Sequence, residues 1–263
     1  MFRKVTEIDH DAIFPFLACR PAKNLFILGD IEAFGYETAF QEVWAYFDSN
    51  GRVRTVLLRY YGTYVLSTES GEGFDDVLRI LSANTAWTVL QGSYEDLVDF
   101  QKAVDYSPSK IRSFYFAERS PGTPRPHIDT SDVKAATMDE IEPLFRLRRS
   151  IKEFESSATT RESLRQSFEA NTGIHYYIAD EQGRMLASAS TAAENSISAM
   201  VVGVCTNPQY RRQGLATRCL SALCDTYDER GKTLCLFYDN PEAGRIYHRL
   251  GFHDIDKWTQ FYR

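Results

Sequence analysis

The chain has 263 residues, 43% of them hydrophobic and 13% aromatic, enough apolar matter to fill the cores of two ordinary domains. A net charge of -6 argues against a nucleic-acid partner, which would need a basic domain with clustered Lys and Arg. No uncharged apolar run of about 18 residues occurs and Met1 to Glu7 leads into no signal-peptide core, so the expectation is a soluble, cytosolic protein with no membrane partner.

Five cysteines, Cys19, Cys205, Cys219, Cys224 and Cys235, form no CxxC pair and leave one over if bridged, so neither a metal site nor a disulfide framework is expected. Residues 7–34 carry two short helical patterns. The first is centred on Ile13, Phe14 and Leu17; the second opens at Pro21 and presents Ile27, Leu28, Ile31 and Phe34 up to a stop at Gly35. From residue 40 to 67 the period becomes two: Val43, Ala45 and Phe47, a Ser49-Asn50-Gly51 turn, then two further runs predict a strand meander. Residues 74–81 and 97–104 read as helices and 87–90 and 111–117 as strands, so the first half is mixed α and β. Three prolines and a glycine within residues 120–126 cannot sustain regular structure. They place a linker at 119–132 between domains of 1–118 and 133–263.

The second half opens with Thr137 and, three residues on, Glu140, a capping-box pattern ahead of Ile141, Leu144, Phe145 and Leu147. Pro143 either kinks that helix or marks its true start. Residues 161–168 form a second amphipathic helix, and 175–179 with 185–191 a hairpin around Asp180-Glu181-Gln182-Gly183. A long strand, 196–206, then leads through a turn into Arg211-Arg212-Gln213-Gly214-Leu215-Ala216, after which Ala216, Cys219, Leu220, Leu223 and Tyr227 line one helical face. Beyond a strand at 233–238, Asn240 suits an N-cap, Pro241 the first helical position, Glu242 the first turn and Gly251 the residue past the end. Ala243, Ile246, Tyr247 and Leu250 share a face of that helix, and residues 252–262 hold a closing strand.

The bend before the long helix has the chemistry of an anion site. Gly214 and Ala216 permit close backbone approach, the first turn leaves about four amides without partners, and Arg211, Arg212 and Arg218 add charge where the helix dipole is positive. A phosphate or pyrophosphate fits. Gly231-Lys232-Thr233 has the tail of a Walker loop, but Thr226 stands where its first glycine is needed, and no dinucleotide fingerprint occurs.

Arg211-Arg212-Gln213-Gly214-Leu215-Ala216 resembles the (Arg/Gln)-x-x-Gly-x-(Gly/Ala) signature of the GCN5-related N-acetyltransferase (GNAT) family. Asn240 and Tyr247, seven apart before Leu250-Gly251-Phe252, are similar to that family's Asn-x-x-x-x-x-x-Tyr-x-x-x-Gly-Phe pattern, and the order of elements over 133–263 agrees with its fold. The resemblance implies an α/β fold with a mixed sheet and acetyl-coenzyme A as co-substrate. It places the pyrophosphate on Arg211, Arg212, Gln213, Gly214, Leu215, Ala216 and Thr217, and the pantetheine arm along the backbone of Val204, Cys205 and Thr206 as if it were an added strand. Asn240 would touch the coenzyme arm and Tyr247 would protonate the departing thiolate, with direct transfer to a primary amine of a small-molecule or peptide acceptor. The first half more weakly resembles the degenerate N-terminal domain of tandem members, residues 24–31 most of all, and no coenzyme site is assigned there.

An aliphatic amine of pKa about 10.4 must lose a proton before it attacks a thioester. Glu153, Glu155, Glu194 and a water chain are the candidates for removing it. Cys205 reads as packing, and His248 and His253 as surface residues. The rival reading is a module that keeps an acyl-coenzyme A as ligand or signal without transferring the acyl group.

Overall fold

The computed structural model describes residues 1–154, 160–169 and 173–263. The chain divides into two compact units, one of residues 1–117, 237–239 and 254–263, the other of 118–236 and 240–253. The proline-rich segment opens the second unit, and from Asp254 onwards the closing strand counts with the first.

In the first unit β1 (Phe2–Lys4) precedes α1 (His10–Ala18) and α2 (Leu25–Phe34). The antiparallel meander β2 (Gln41–Phe47), β3 (Val53–Tyr60) and β4 (Thr63–Thr68) follows. Alternate residues of β2, Gln41, Val43 and Ala45, are buried, as a strand with one covered face requires. The β2–β3 turn closes on Asp48, whose carboxylate accepts from the Asn50 and Arg52 amides, with Gly51 at φ +76°. Helix α3 (Phe74–Ala83) then carries the chain to β5 (Val89–Ser93), which pairs parallel to β4, and α4 (Tyr94–Ala103) and β6 (Lys110–Arg119) come next.

Helix α2 starts at Leu25, four residues later than Pro21 predicts. Asn24 occupies its N-cap, but its side-chain Nδ2 donates back to the Leu17 carbonyl at 2.9 Å, which ties residues 20–24 into the turn from α1. Strand β5 is likewise displaced past Trp87, whose indole N–H is drawn to the Leu81 carbonyl at 2.9 Å. Strand β1, paired Phe2 to Tyr46, is too short and too charged to show a period. The core between α3, α4 and the sheet gathers Leu57, Leu66, Phe74, Val77, Leu90 and Phe100.

The second unit begins with β7 (Lys134–Ala135) and a tight turn at Met138–Glu140 that runs into α5 (Ile141–Arg149). The capping box forms: the Thr137 amide donates to Glu140 Oε2 at 2.7 Å, and the Asp139 amide to Thr137 Oγ1 at 3.3 Å. Pro143 is therefore in the first turn of α5, where its missing N–H has no partner to lose, and it marks the start of the helix instead of bending it. Then come α6 (Arg161–Glu169), β8 (His175–Ala179), β9 (Met185–Ala192), β10 (Ser198–Thr206), α7 (Leu215–Glu229), β11 (Thr233–Tyr238), α8 (Pro241–Arg249) and β12 (His253–Tyr262).

The second unit's strands lie in the order β7-β8-β9-β10-β11, and the first unit's in the order β1-β2-β3-β4-β5-β12-β6. Each unit thus repeats one plan: an antiparallel meander, a helical crossover (α3 or α7) to a parallel strand, and a further helix (α4 or α8). Side chains of β9 alternate between two helices. Ser190 meets Arg148 on α5, whereas Thr191 meets the Tyr227 hydroxyl on α7 at 2.8 Å. Cys219, Leu220, Leu223 and Tyr227 are fully buried as the periodicity predicts, while Ala216 is half-buried. On α8 the buried face is Gly244, Tyr247 and, just beyond, Leu250; Ile246 points to solvent, so the glycine and not the isoleucine sits against the unit. Among the described residues no helix is long and apolar enough to cross a membrane.

Candidate functional site

The site begins where β10 parts from β11. The two strands pair in parallel at Ser198↔Thr233, Ala199↔Leu234 and Met200↔Cys235, and their ladder ends there. On its other edge β10 stays bonded to β9 as far as Thr206↔Ala187, with a register shift between Val202 and Cys205. Gly203, at φ +62°, forms the resulting bulge, and the Ser188 hydroxyl donates to its carbonyl at 3.1 Å. Val204, Cys205 and Thr206 therefore present one backbone edge that has no ladder partner among the described residues.

A single tight turn, Pro208–Tyr210, follows β10, with Asn207 Oδ1 accepting the Gln209 amide at 3.1 Å. Arg211 is extended, Arg212 sits at φ +67°, and Gly214 at φ +75° is the N-cap of α7. The first helical bond is that from the Arg218 amide to the Gly214 carbonyl, 3.0 Å, and among the described residues no side chain caps the turn. The amides of Leu215, Ala216 and Thr217 are thus left to point out of the helix end together. A Cβ at Gly214 would meet nothing within 4 Å, so this glycine is needed for its dihedral angle and faces open space.

Of the three arginines, two are committed to carboxylates. Arg211 reaches Glu153 at 3.2 Å, and Arg218 reaches Asp132 at 2.5 Å. Arg212 has no carboxylate partner among the described residues, and its left-handed backbone is one a side chain adopts at about 1–2 kcal/mol.

Because β10 and β11 are parallel, the segments that follow them emerge at the same edge of the sheet, the usual place for a ligand in such an arrangement. The bend follows β10, and Asn240 follows β11. Asn240 Oδ1 accepts the Glu242 amide at 3.0 Å and so caps α8. One face further along, Tyr247 is 8% exposed, its ring edge-on to Phe252 at 6.1 Å.

The candidate bases fare differently. Glu153 lies at the mouth of the bend, its carboxyl held below the usual range by its own amide and by Arg211. Glu194 precedes β10 and so lies at the opposite end of that strand from the bend. Burial raises its pKa, but hydrogen bonds from Lys232 (2.7 Å) and the Tyr227 hydroxyl (2.6 Å) more than offset that and leave it lowered. It belongs to that ion cluster and not to the bend. Glu155 lies outside the described residues. Cys205 is buried under α5 with Leu144, Leu147 and Met185, and burial pushes its thiol up, which suits packing rather than nucleophilic attack.

Sequence reading passes over one residue of this region. Arg148, 6% exposed, shares the inward face of α5 with Ile141 and Leu144, a spacing that could have flagged it. Its Nη2 donates to Ser190 Oγ at 2.6 Å, while its Nε is buried with no partner among the described residues. The guanidinium lies where a side chain on Gly203 would have to go, 2.6 Å from that Cβ position. His175 shares the same serine, Nδ1 to Ser190 Oγ at 2.9 Å, and its other nitrogen is 3.3 Å from Ser167 Oγ. Burial, then the charge of Arg148, brings this imidazole down to about 4, so it is neutral at pH 7.

A mixed sheet whose parallel pair splays at a bulge, followed by a basic bend and a helix, defines this unit as one of the GNAT type. Residues 139–252 match the acetyltransferase (GNAT) family, so the protein carries a GNAT domain, and the whole chain has the fold of tandem GNAT proteins. A tandem GNAT protein from the clavulanic acid biosynthesis pathway, solved without AcCoA, is similar over 100% of this chain and 98% of its own (TM-score 0.61, 14% identity). A Drosophila protein aligns over 99% and 98% (TM-score 0.71, 10% identity). A GCN5-related N-acetyltransferase from Sphaerobacter thermophilus aligns over 100% and 95% (TM-score 0.65, 15% identity). No curated protein matches the sequence. Family and fold together support acyl-coenzyme A-dependent acetyl transfer in general terms.

Proposed function

We propose that the protein transfers an acetyl group from acetyl-coenzyme A to a primary amine, with the coenzyme held by residues 133–263. The observation that carries this reading is the bend at Gly214, where three successive amides open a helix beside unfilled space and the neighbouring Arg212 has no carboxylate partner among the described residues. Arg211 and Arg218 add charge once a diphosphate competes with Glu153 and Asp132. The exposed Arg211–Glu153 pair is worth only about 0–1 kcal/mol, so exchanging it is inexpensive, whereas the Arg218–Asp132 pair is partly buried. From the bend the pantetheine arm runs back along Thr206, Cys205 and Val204, whose free edge supplies alternating donors and acceptors.

The thioester then arrives beside the Gly203 bulge. A free amine attacks its carbonyl carbon, the C–S bond breaks, and Tyr247 delivers its proton to the departing sulfur, while the proton shed by the attacking nitrogen as the amide forms restores the phenol by way of solvent; no covalent enzyme intermediate is needed. Asn240, already the cap of α8, meets the arm with its remaining hydrogen-bonding capacity.

The corresponding bend of the first unit supports a single coenzyme site. Ahead of α3 stand Glu69 and Glu72, in its first turn Asp75 and Asp76, and the space beside Gly73 is taken by Phe2 and Tyr46. That charge repels a diphosphate. Isothermal titration with acetyl-coenzyme A tests the reading, which fails if no heat of binding is seen. Thiol release with a panel of amines separates an enzyme from a module that only holds the coenzyme.

A further inference from the structure

Arg148 is out of place in a core. A buried cation is ordinarily paired with a carboxylate, and replacing an unpaired one by an apolar side chain is often neutral or stabilising. Among the described residues Arg148 has no such partner: one serine hydroxyl takes one of its nitrogens, another is left without an acceptor, and the neighbouring His175 is neutral. Its position is as telling as its isolation. The guanidinium rests against the Gly203 bulge, one residue before the edge along which the coenzyme arm is placed, and a strand advances about 3.3 Å per residue.

Building on the coenzyme reading above, we infer that Arg148 binds the carboxylate of the acceptor, so that the substrate is a small amino acid whose amine and carboxylate are only a few bonds apart. The fork of an arginine suits a carboxylate bidentately, with Ser190 holding its far side, and the anion supplies the charge that the core lacks. The carboxylate, fixed a few ångströms from the thioester, brings the adjoining amine onto the carbonyl carbon. Arg148 is on this account the residue that selects the acceptor.

The test uses the full chain and N-acetyl amino acids from small to large, each beside its amide, titrated without coenzyme; glycine and its amide are then compared as acceptors by thiol release. At least one acid should bind about tenfold or more tighter than its amide, and the acid-bearing amine should be the better acceptor. Arg148→Met should erase the difference while leaving acetyl-coenzyme A affinity unchanged and the thermal midpoint equal or higher; Arg148→Lys should retain part of it. Equal binding of every acid and its amide overturns the inference, as does discrimination that survives in Arg148→Met. So does a fall of both midpoint and coenzyme affinity in that variant, the mark of a structural arginine. Loss of coenzyme binding by the native protein would instead sink the transferase reading, since acid-over-amide binding is measured without it.

Discussion

Replacing Gly214 by alanine separates what the bend does for the fold from what it does for a ligand. At φ +75° an L side chain costs about 1–2 kcal/mol, and because the new Cβ would meet no atom within 4 Å, no clash adds to that figure. At about 2–4 °C per kcal/mol for a chain of this size, the melting midpoint without ligand should fall by roughly 2–8 °C. On the coenzyme reading, however, the diphosphate occupies the open space that Gly214 faces, and the methyl group would compete with it there. Displacing a phosphate from even one charge-assisted hydrogen bond there forfeits about 1.5–3 kcal/mol, or roughly 10- to 150-fold in Kd. Thermal denaturation and titration of acetyl-coenzyme A read the two effects independently. A variant that melts lower by the expected amount yet binds the coenzyme as tightly as the native protein would refute the assignment of the diphosphate to this bend.

Tyr247→Phe should lower turnover by about 10²–10⁴ with little change in coenzyme affinity, measured by thiol release and titration; unchanged turnover would remove the phenol from the mechanism. Arg212→Gly relieves a left-handed arginine, so the ligand-free protein should gain about 1 kcal/mol in denaturant unfolding while coenzyme binding weakens and becomes less sensitive to salt. His175, brought down to about 4 from an unfolded value near 6.5, makes the native state bind fewer protons than the unfolded chain between those values. Stability should be intact above about pH 6.5 and fall by up to about 3 kcal/mol as the pH drops towards 4. His175→Gln should flatten that slope, and an unaltered slope would place the acid sensitivity elsewhere.

What the amino-acid order disclosed was local. The capping box at Thr137, the cap and proline at Asn240 and Pro241, and the buried stripe of α7 each depend on residues within a turn or two of one another, and each is present. Arg212 shows the same from another side, because its left-handed angle is a local demand of the bend. Partners distant in the chain stayed hidden. The closing strand at residues 252–262 was legible, but nothing in it tells of its pairing with β5, Trp258 to Ser93, and Arg148 passes for one of three surface arginines until Ser190 and Gly203 are folded against it. The late start of α2 has the same origin, a side-chain bond from Asn24 to the helix before it.

Strand β12 sits between β5 and β6, with Trp258 and Phe261 sunk into the first unit. A fragment ending near residue 118 would be left with two raw inner edges and a hole where two aromatic rings belong, and such edges invite pairing with other chains. During synthesis the first unit is the first made yet the last able to close, since it waits for a strand that leaves the ribosome only after nearly all of the second unit has been laid down.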